Sequence, residues 1–149
     1  MKIKDPIKVK MGKKSRAAGA AFELRVRSDL ESKGWIVDKW GNNVQLDPSL
    51  PEMGLIKSKS RWAGPGRPMM LGAGFPDFIA LRKGKIVIDD YTFYEVIGVE
   101  SKMNGVLDKL EKEKCKWLLN NKIFSKILIA QKTKVKNKIV VEYKEFNGN

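Results

Sequence analysis

Phe93–Lys102 reads FYEVIGVESK. Aromatic and β-branched residues fill the stretch, which predicts a long strand. Successive side chains of an extended chain alternate faces, so Glu100 and Lys102 project the same way, with Gly98 below them, and Ser101 points opposite. Glu95 lies five positions from Glu100 and therefore on the other face, unless Gly98 marks a bulge. Just upstream, Gly74–Leu81 reads GFPDFIAL. Phe78–Leu81 is expected as a strand with Asp77 at its start. If the two strands pair, the Asp77 carboxylate can reach Glu100. Lys83-Gly84-Lys85 reads as a turn, and Ile86–Ile88 as the short partner it returns.

Working outward, Arg16–Lys33 holds good helix formers in which Gly19, Phe22, Val26 and Leu30 recur on one helical face. Ser15 suits the N-cap, and Gly34 ends the helix. Trp35–Trp40 reads as a strand. Met1–Lys14 shows no period and is expected as a flexible basic arm, 1–14, ahead of a single domain, 15–149. From 42 to 74 periodicity disappears while prolines and glycines collect, predicting a basic loop that could hide a short strand near Leu55–Ser60. After the long strand, Asn104-Gly105 turns the chain into a helix over Val106–Asn120, with Val106, Leu107, Leu110, Trp117 and Leu118 as its apolar face. Ile127–Gln131 and Ile139–Tyr143 complete the set as closing strands. The order implies an α/β fold, a mixed central β-sheet flanked by helices.

Charge narrows the function. Thirty Lys plus Arg stand against 17 Asp plus Glu, a formal net charge of +13, in 149 residues of which 42% are hydrophobic. That is one foldable domain whose excess charge calls for a polyanionic partner. No apolar run is long enough for a membrane span, and no secretory signal pattern follows the basic start, so an intracellular location is expected. The chain has no histidine and one cysteine, Cys115, which excludes an internal disulfide, a Cys/His zinc site and a histidine base. Cys115 is read as helix packing or an inert surface thiol. Any catalysis must use carboxylates, lysines or hydroxyls.

Asp77, Glu100 and Lys102 fit that restriction. Paired hard oxygens suit Mg²⁺, which can polarise a phosphodiester and lower the pKa of a bound water. Lys102 could orient that water or offset charge growing on the phosphate. Glu23 sits at the edge of the first helix's inner face, where it either serves this site or snorkels at the rim and pairs with Arg27. Lys114, on the inner phase of the second helix, either flanks the site or is simply solvated.

These residues resemble the PD-(D/E)xK nuclease superfamily, whose signature reads here as Pro76-Asp77 and then Glu100-Ser101-Lys102. Helix, acid-bearing strand, Glu-x-Lys strand, second helix and closing strand follow the superfamily's order over most of the chain. Arg16–Leu24, RAAGAAFEL, with Lys33-Gly34-Trp35 after it, looks like the opening helix of archaeal and phage Holliday junction resolvases. The resemblance implies a restriction-endonuclease-like core and a metal-dependent endonuclease, most similar to a junction resolvase, working as a homodimer on branched DNA. It implies Glu23, Asp77, Glu100 and Lys102 as catalytic residues, Asp77, Glu100 and Ser101 as the metal set, and Mg²⁺ as cofactor with Mn²⁺ able to substitute. The 42–74 segment departs from those resolvases, which usually have a much shorter link there. A nuclease acting on flaps, single strands or a specific duplex sequence is the neighbouring alternative, and a non-catalytic basic nucleic-acid-binding module the alternative of another class.

DNA contacts are expected from Lys13, Lys14 and Arg16, and from Lys57, Lys59, Arg61, Trp62 and Arg67, which directly precede Asp77 in the chain. Trp62 either stacks on an unpaired base or packs the loop onto the domain. The lysines of 132–138 are read as covering a solvated turn. Leu119, Ile123, Phe124 and Phe146 exceed what one helix face needs and are expected at the dimer surface.

Overall fold

A computed structural model describes residues 6–60, 62, 64–66 and 74–148. Arg61 and Arg67 lie outside the described residues. The elements are α1 (Pro6–Ser32), β1 (Ile36–Lys39), β2 (Asn42–Gln45), β3 (Gly54–Lys57), β4 (Phe78–Ile88), β5 (Tyr91–Ser101), α2 (Lys109–Asn120), β6 (Lys126–Val135) and β7 (Lys138–Glu145). Five strands form one sheet in the order β1-β4-β5-β6-β7, and β2-β3 form a separate hairpin. Only β5 and β6 run parallel, joined through α2, so the sheet is mixed and the protein is α/β. Among the described residues no helix is long and apolar enough to cross a membrane.

Each face of the sheet buries its own core. On one face Phe22, Val26 and Leu30 of α1 pack on Val37, Phe78, Ala80, Ile97 and Val99. Fully burying a side chain of this size stabilises by about 1.5–3 kcal/mol, so three of them pin the helix to the sheet. On the other face Cys115 and Leu118 of α2 pack with Val44, Phe75, Phe124, Ile127, Ile129 and Phe146. β6 alternates between the two cores residue by residue, as its period of two requires.

Several expectations are corrected. The segment expected as a flexible arm is helical from Pro6 onward, and Ser15 lies inside α1 rather than capping it. Pro at the first helical position is favourable, and extending a helix already anchored by Phe22, Val26 and Leu30 requires no new nucleus. Gly12 and Gly19 weaken that stretch without ending it. Lys83-Gly84-Lys85 is not a turn: β4 runs through it with a register irregularity between Lys83 and Val87. A Cβ on Gly84 would lie 3.0 Å from the Phe93 carbonyl oxygen, so glycine there permits close cross-strand approach. The chain reverses instead at Asp89 and Asp90, with φ of 48° and 66°, left-handed values that Asp tolerates in a two-residue hairpin loop.

The 42–74 segment holds two strands where one was expected. Val44 of the missed strand, β2, is buried in the second core. α2 begins three residues later than expected, at Lys109, because Asp108 and Glu111 form a capping box. Val106 and Leu110, assigned to its apolar face, are exposed, and Cys115 packs in their place. Phe124 and Phe146, expected at a dimer surface, are buried in the second core, and Leu119 and Ile123 are half-buried against it, so the four form no exposed apolar patch.

Candidate active site

The sheet register assembles the site. Phe78 pairs with Val99, so the next step sets Asp77 opposite Glu100. The two are tied reciprocally: the Asp77 N–H donates to Glu100 Oε2 at 3.1 Å, and the Ser101 N–H donates to Asp77 Oδ2 at 2.9 Å. Gly98 makes the approach possible. A Cβ there would lie 2.8 Å from Pro76 Cγ and 3.1 Å from the Phe124 ring.

Glu100 is only 6% exposed. Burial, and then the Asp77 charge beside it, push its carboxyl up to about 8. Burial also raises Asp77, with the Ser101 N–H opposing and Glu23 adding to the rise. Lys102 Nζ lies 3.7 Å from Glu100 Oε1 and is hydrogen-bonded to Glu111. Burial by itself would lower the Lys102 pKa; the Glu111 hydrogen bond and the Glu100 and Glu111 charges outweigh it, so the net direction is up. The ammonium therefore keeps its proton across the neutral range.

The structure brings Asp77, Glu100 and Lys102 together as expected. Ser101 contributes its N–H, and its Oγ is buried without a hydrogen-bond partner. Glu23 does not pair with Arg27, which bonds Glu31 and the Val37 carbonyl instead. Its carboxylate is ion-paired to Lys39, and its charge still reaches Asp77. Lys114 Nζ donates to Asn43 Oδ1 at 2.9 Å, which fastens α2 to the β2–β3 hairpin rather than to the carboxylate pair. Glu95 is remote, held by Arg82 and Lys126.

Two participants escape sequence reasoning. Glu111 both caps α2 and holds Lys102; its D-x-x-E spacing from Asp108 signals the cap but not the second role. Lys39 comes beside the site through the β1–β4 register, which pairs it with Phe78, and nothing local signals that.

Among the described residues no three acidic or cysteine side chains gather as a ready-made metal cluster. The pair present nevertheless fits a magnesium ion, which retains several waters and commonly takes one or two protein carboxylates together with substrate phosphate. Two carboxylates this close, one of them buried, repel when both ionise, a cost that a bound cation would offset. Asp77 and Glu100 would hold the ion.

Of the basic residues, Lys13, Lys14 and Arg16 lie on the exposed first half of α1, Lys57 and Lys59 are exposed on and just after β3, and Trp62 is 70% exposed, so it does not pack the loop onto the domain. Neither a family model, nor a curated protein, nor a solved structure matches the chain.

Proposed function

We propose that the protein is a Mg²⁺-dependent endodeoxyribonuclease with a restriction-endonuclease-like core that hydrolyses phosphodiester bonds, acting on branched DNA in the manner of a Holliday junction resolvase. The observation that carries this reading is the meeting of Asp77 with Glu100 across the β4–β5 register and of Lys102 with Glu100 along one strand face. When bound, Mg²⁺, or Mn²⁺ in its place, supplies Lewis acidity to the phosphodiester and a lowered pKa to water. Asp77 and Glu100 would hold the cation. Lys102, kept protonated by Glu111, balances charge that grows on the phosphate, and the preorganised ion pair spares the site reorganisation at that moment. Glu23 and Lys39 border Asp77 and set the local charge.

The burial of Glu100 argues against a purely binding module, because a carboxylate kept only as a surface charge gains nothing from leaving water. Incubating the protein with labelled junction, flap, duplex and single-stranded DNA, with and without Mg²⁺, tests the reading. Metal-dependent, paired cuts in the junction are expected. Cleavage of flaps or single strands alone moves the reading to the neighbouring nuclease class, and no cleavage of any substrate refutes it.

A homodimer belongs to the same reading, since a two-fold junction is matched by two copies of the site. Its surface is the far half of the β4–β5 hairpin. Ile88 pairs with Tyr91, and Phe93 lies two residues from Tyr91 on the same face; these three and Ile86 beside them are exposed, Tyr91 by 72%. The same ribbon carries Asp89-Asp90 at its tip and Lys83 and Lys85 toward its base, charges of opposite sign that a second copy could pair.

A further inference from the structure

Two segments overhang the end of the sheet where Asp77 and Glu100 lie. α1 is pinned by Phe22, Val26 and Leu30, and Glu23 meets Lys39 at the Asp77 end of β1. The helix therefore runs on past the site from Phe22 back to Pro6, roughly 24 Å at 1.5 Å per residue. Every residue from Ile7 to Ala18 is exposed. The second segment is the tip of β6–β7. Ala130 pairs with Ser101 and the Lys132 N–H donates to the Met103 carbonyl at 3.1 Å; from Thr133 to Val135 the strand has β7 as its one sheet neighbour and runs on roughly 10 Å. The segments lie together: Arg25 Nη1 donates to the Ile139 carbonyl at 3.4 Å, and Ala18, Phe22, Met103, Lys132 and Ile139 line one cleft between them.

Their charge is one-signed. From Pro6 to Phe22 there are Lys8, Lys10, Lys13, Lys14 and Arg16, with no acid. From Gln131 to Val141 there are Lys132, Lys134, Lys136 and Lys138, again with no acid. All nine are exposed and, among the described residues, none is in an ion pair. Nine such charges on two adjoining segments concentrate positive charge at the carboxylate end of the sheet, within a chain whose formal net charge is +13. Neither segment carries an exposed aromatic residue: Phe22, the single aromatic side chain of the two, is buried in the first core. Binding of unpaired nucleic acid relies on aromatic platforms for the bases, whereas a duplex hides its bases and presents phosphates.

We infer that the helical arm and the β6–β7 ribbon together form the seat for the backbone of double-stranded DNA, placing the duplex over the Asp77/Glu100 end of the sheet. This rests on the nuclease reading for its purpose but not for its test. The 132–138 lysines, which look in sequence like a solvated turn, are then half of the binding surface.

The test uses a duplex of about 25 base pairs and a single strand of equal length, bound to otherwise full-length Asp77→Asn protein without divalent metal, so that cleavage plays no part. Two double variants remove the same charge from the seat and from a surface away from it: Lys134→Ala/Lys136→Ala in the seat, and Lys116→Ala/Lys122→Ala at the far end of α2. Each lost phosphate contact flattens the slope of log affinity against log salt by roughly 0.9 for duplex. The seat variant is expected to flatten it by between one and two such steps and the other variant by none, with a smaller loss on single strands. Lys10→Ala/Lys13→Ala is expected to match the seat variant, and unchanged thermal melting excludes unfolding as the cause. Equal losses in the seat variant and the α2 variant, or equal losses on duplex and single strand, overturn the inference. Wild-type protein that never cleaves DNA would refute the nuclease while leaving this binding result intact.

Discussion

The β4–β5 and β6–β7 hairpins are built alike and end in opposite chemistry. Both run past the sheet as two-stranded ribbons, and both reverse on two consecutive left-handed residues, Asp89 and Asp90 in one, Lys136 and Asn137 in the other. The first leaves the sheet at the end away from the carboxylates and carries Ile86, Ile88, Tyr91 and Phe93 behind an acidic tip. The second leaves beside them and carries alternating lysines. A two-stranded ribbon has little stability of its own in water, so each is expected to gain from a partner. What the difference teaches is that the partner is chosen by side chains and by which end of the sheet the ribbon leaves. An acidic apolar tip repels phosphate and suits protein; a lysine tip repels its own kind and suits a polyanion.

The largest effect expected separates the two ends outright. Asp77→Asn, Glu100→Gln and Lys102→Ala should each cut cleavage by about 10²–10³-fold or more, while the far-ribbon pair Tyr91→Lys/Phe93→Lys leaves the rate of single-strand nicking per site within about twofold. Single-turnover assays on a nicked or linear duplex read this. Native-rate cleavage by Asp77→Asn would remove the metal site from that end of the sheet.

Next in size is self-association. Tyr91→Lys/Phe93→Lys puts two cations into the apolar face and should weaken the dimer at least about tenfold, equivalent to roughly 1.4 kcal/mol. Sedimentation across a micromolar concentration series measures it, and an unaltered association constant would place the dimer elsewhere.

Gly98→Ala sharpens the comparison from inside the sheet. Its Cβ would press on the Pro76 ring and Phe124, costing about 1–3 kcal/mol and displacing the chain at Asp77. Thermal melting should fall along with cleavage, whereas salt-dependent duplex binding by the β6–β7 ribbon should not change. A loss of binding as large as the loss of cleavage would mean that seat and site are not separable.

A subtler effect is in pH. The folded-state pKa of Glu100 is raised from 4.5 to about 8, so the fold prefers its protonated form. That contribution to stability is fully present below the unfolded-state value and is lost as pH rises through about 8. In metal-free protein Glu100→Gln should therefore melt with the wild type near pH 4 and several degrees above it near pH 9. A wild type that is the more stable at pH 9 would show that Lys102 already compensates the charge. The smallest effect concerns Cys115, which is fully buried and whose thiol burial pushes up to about 12. Native protein at pH 8 should resist thiol reagents that label it at once in denaturant, since the thiolate is the reactive form.

Sequence alone determined much of this. Alternation in FYEVIGVESK put Glu100 and Lys102 on one face, the 3.6-residue period of Phe22, Val26 and Leu30 marked the helix face that packs, and composition excluded disulfides and histidine chemistry, because each of these is a local property of spacing or content. Tertiary structure decided the rest. Whether α1 would extend to Pro6 depended on an anchor elsewhere in the helix; whether Gly84 marked a turn or a close strand approach depended on Phe93, across the hairpin. Lys39 and Glu111 came to the site by register and by capping, and Glu23 turned to Lys39 instead of Arg27. The lysines of the β6–β7 tip have the same sequence signature as any solvated turn. Only the parallel β5–β6 pairing, which carries β6 past Ser101, sets them beside α1 above the carboxylates, because a strand's reach beyond its neighbour is a property of the sheet and not of the strand.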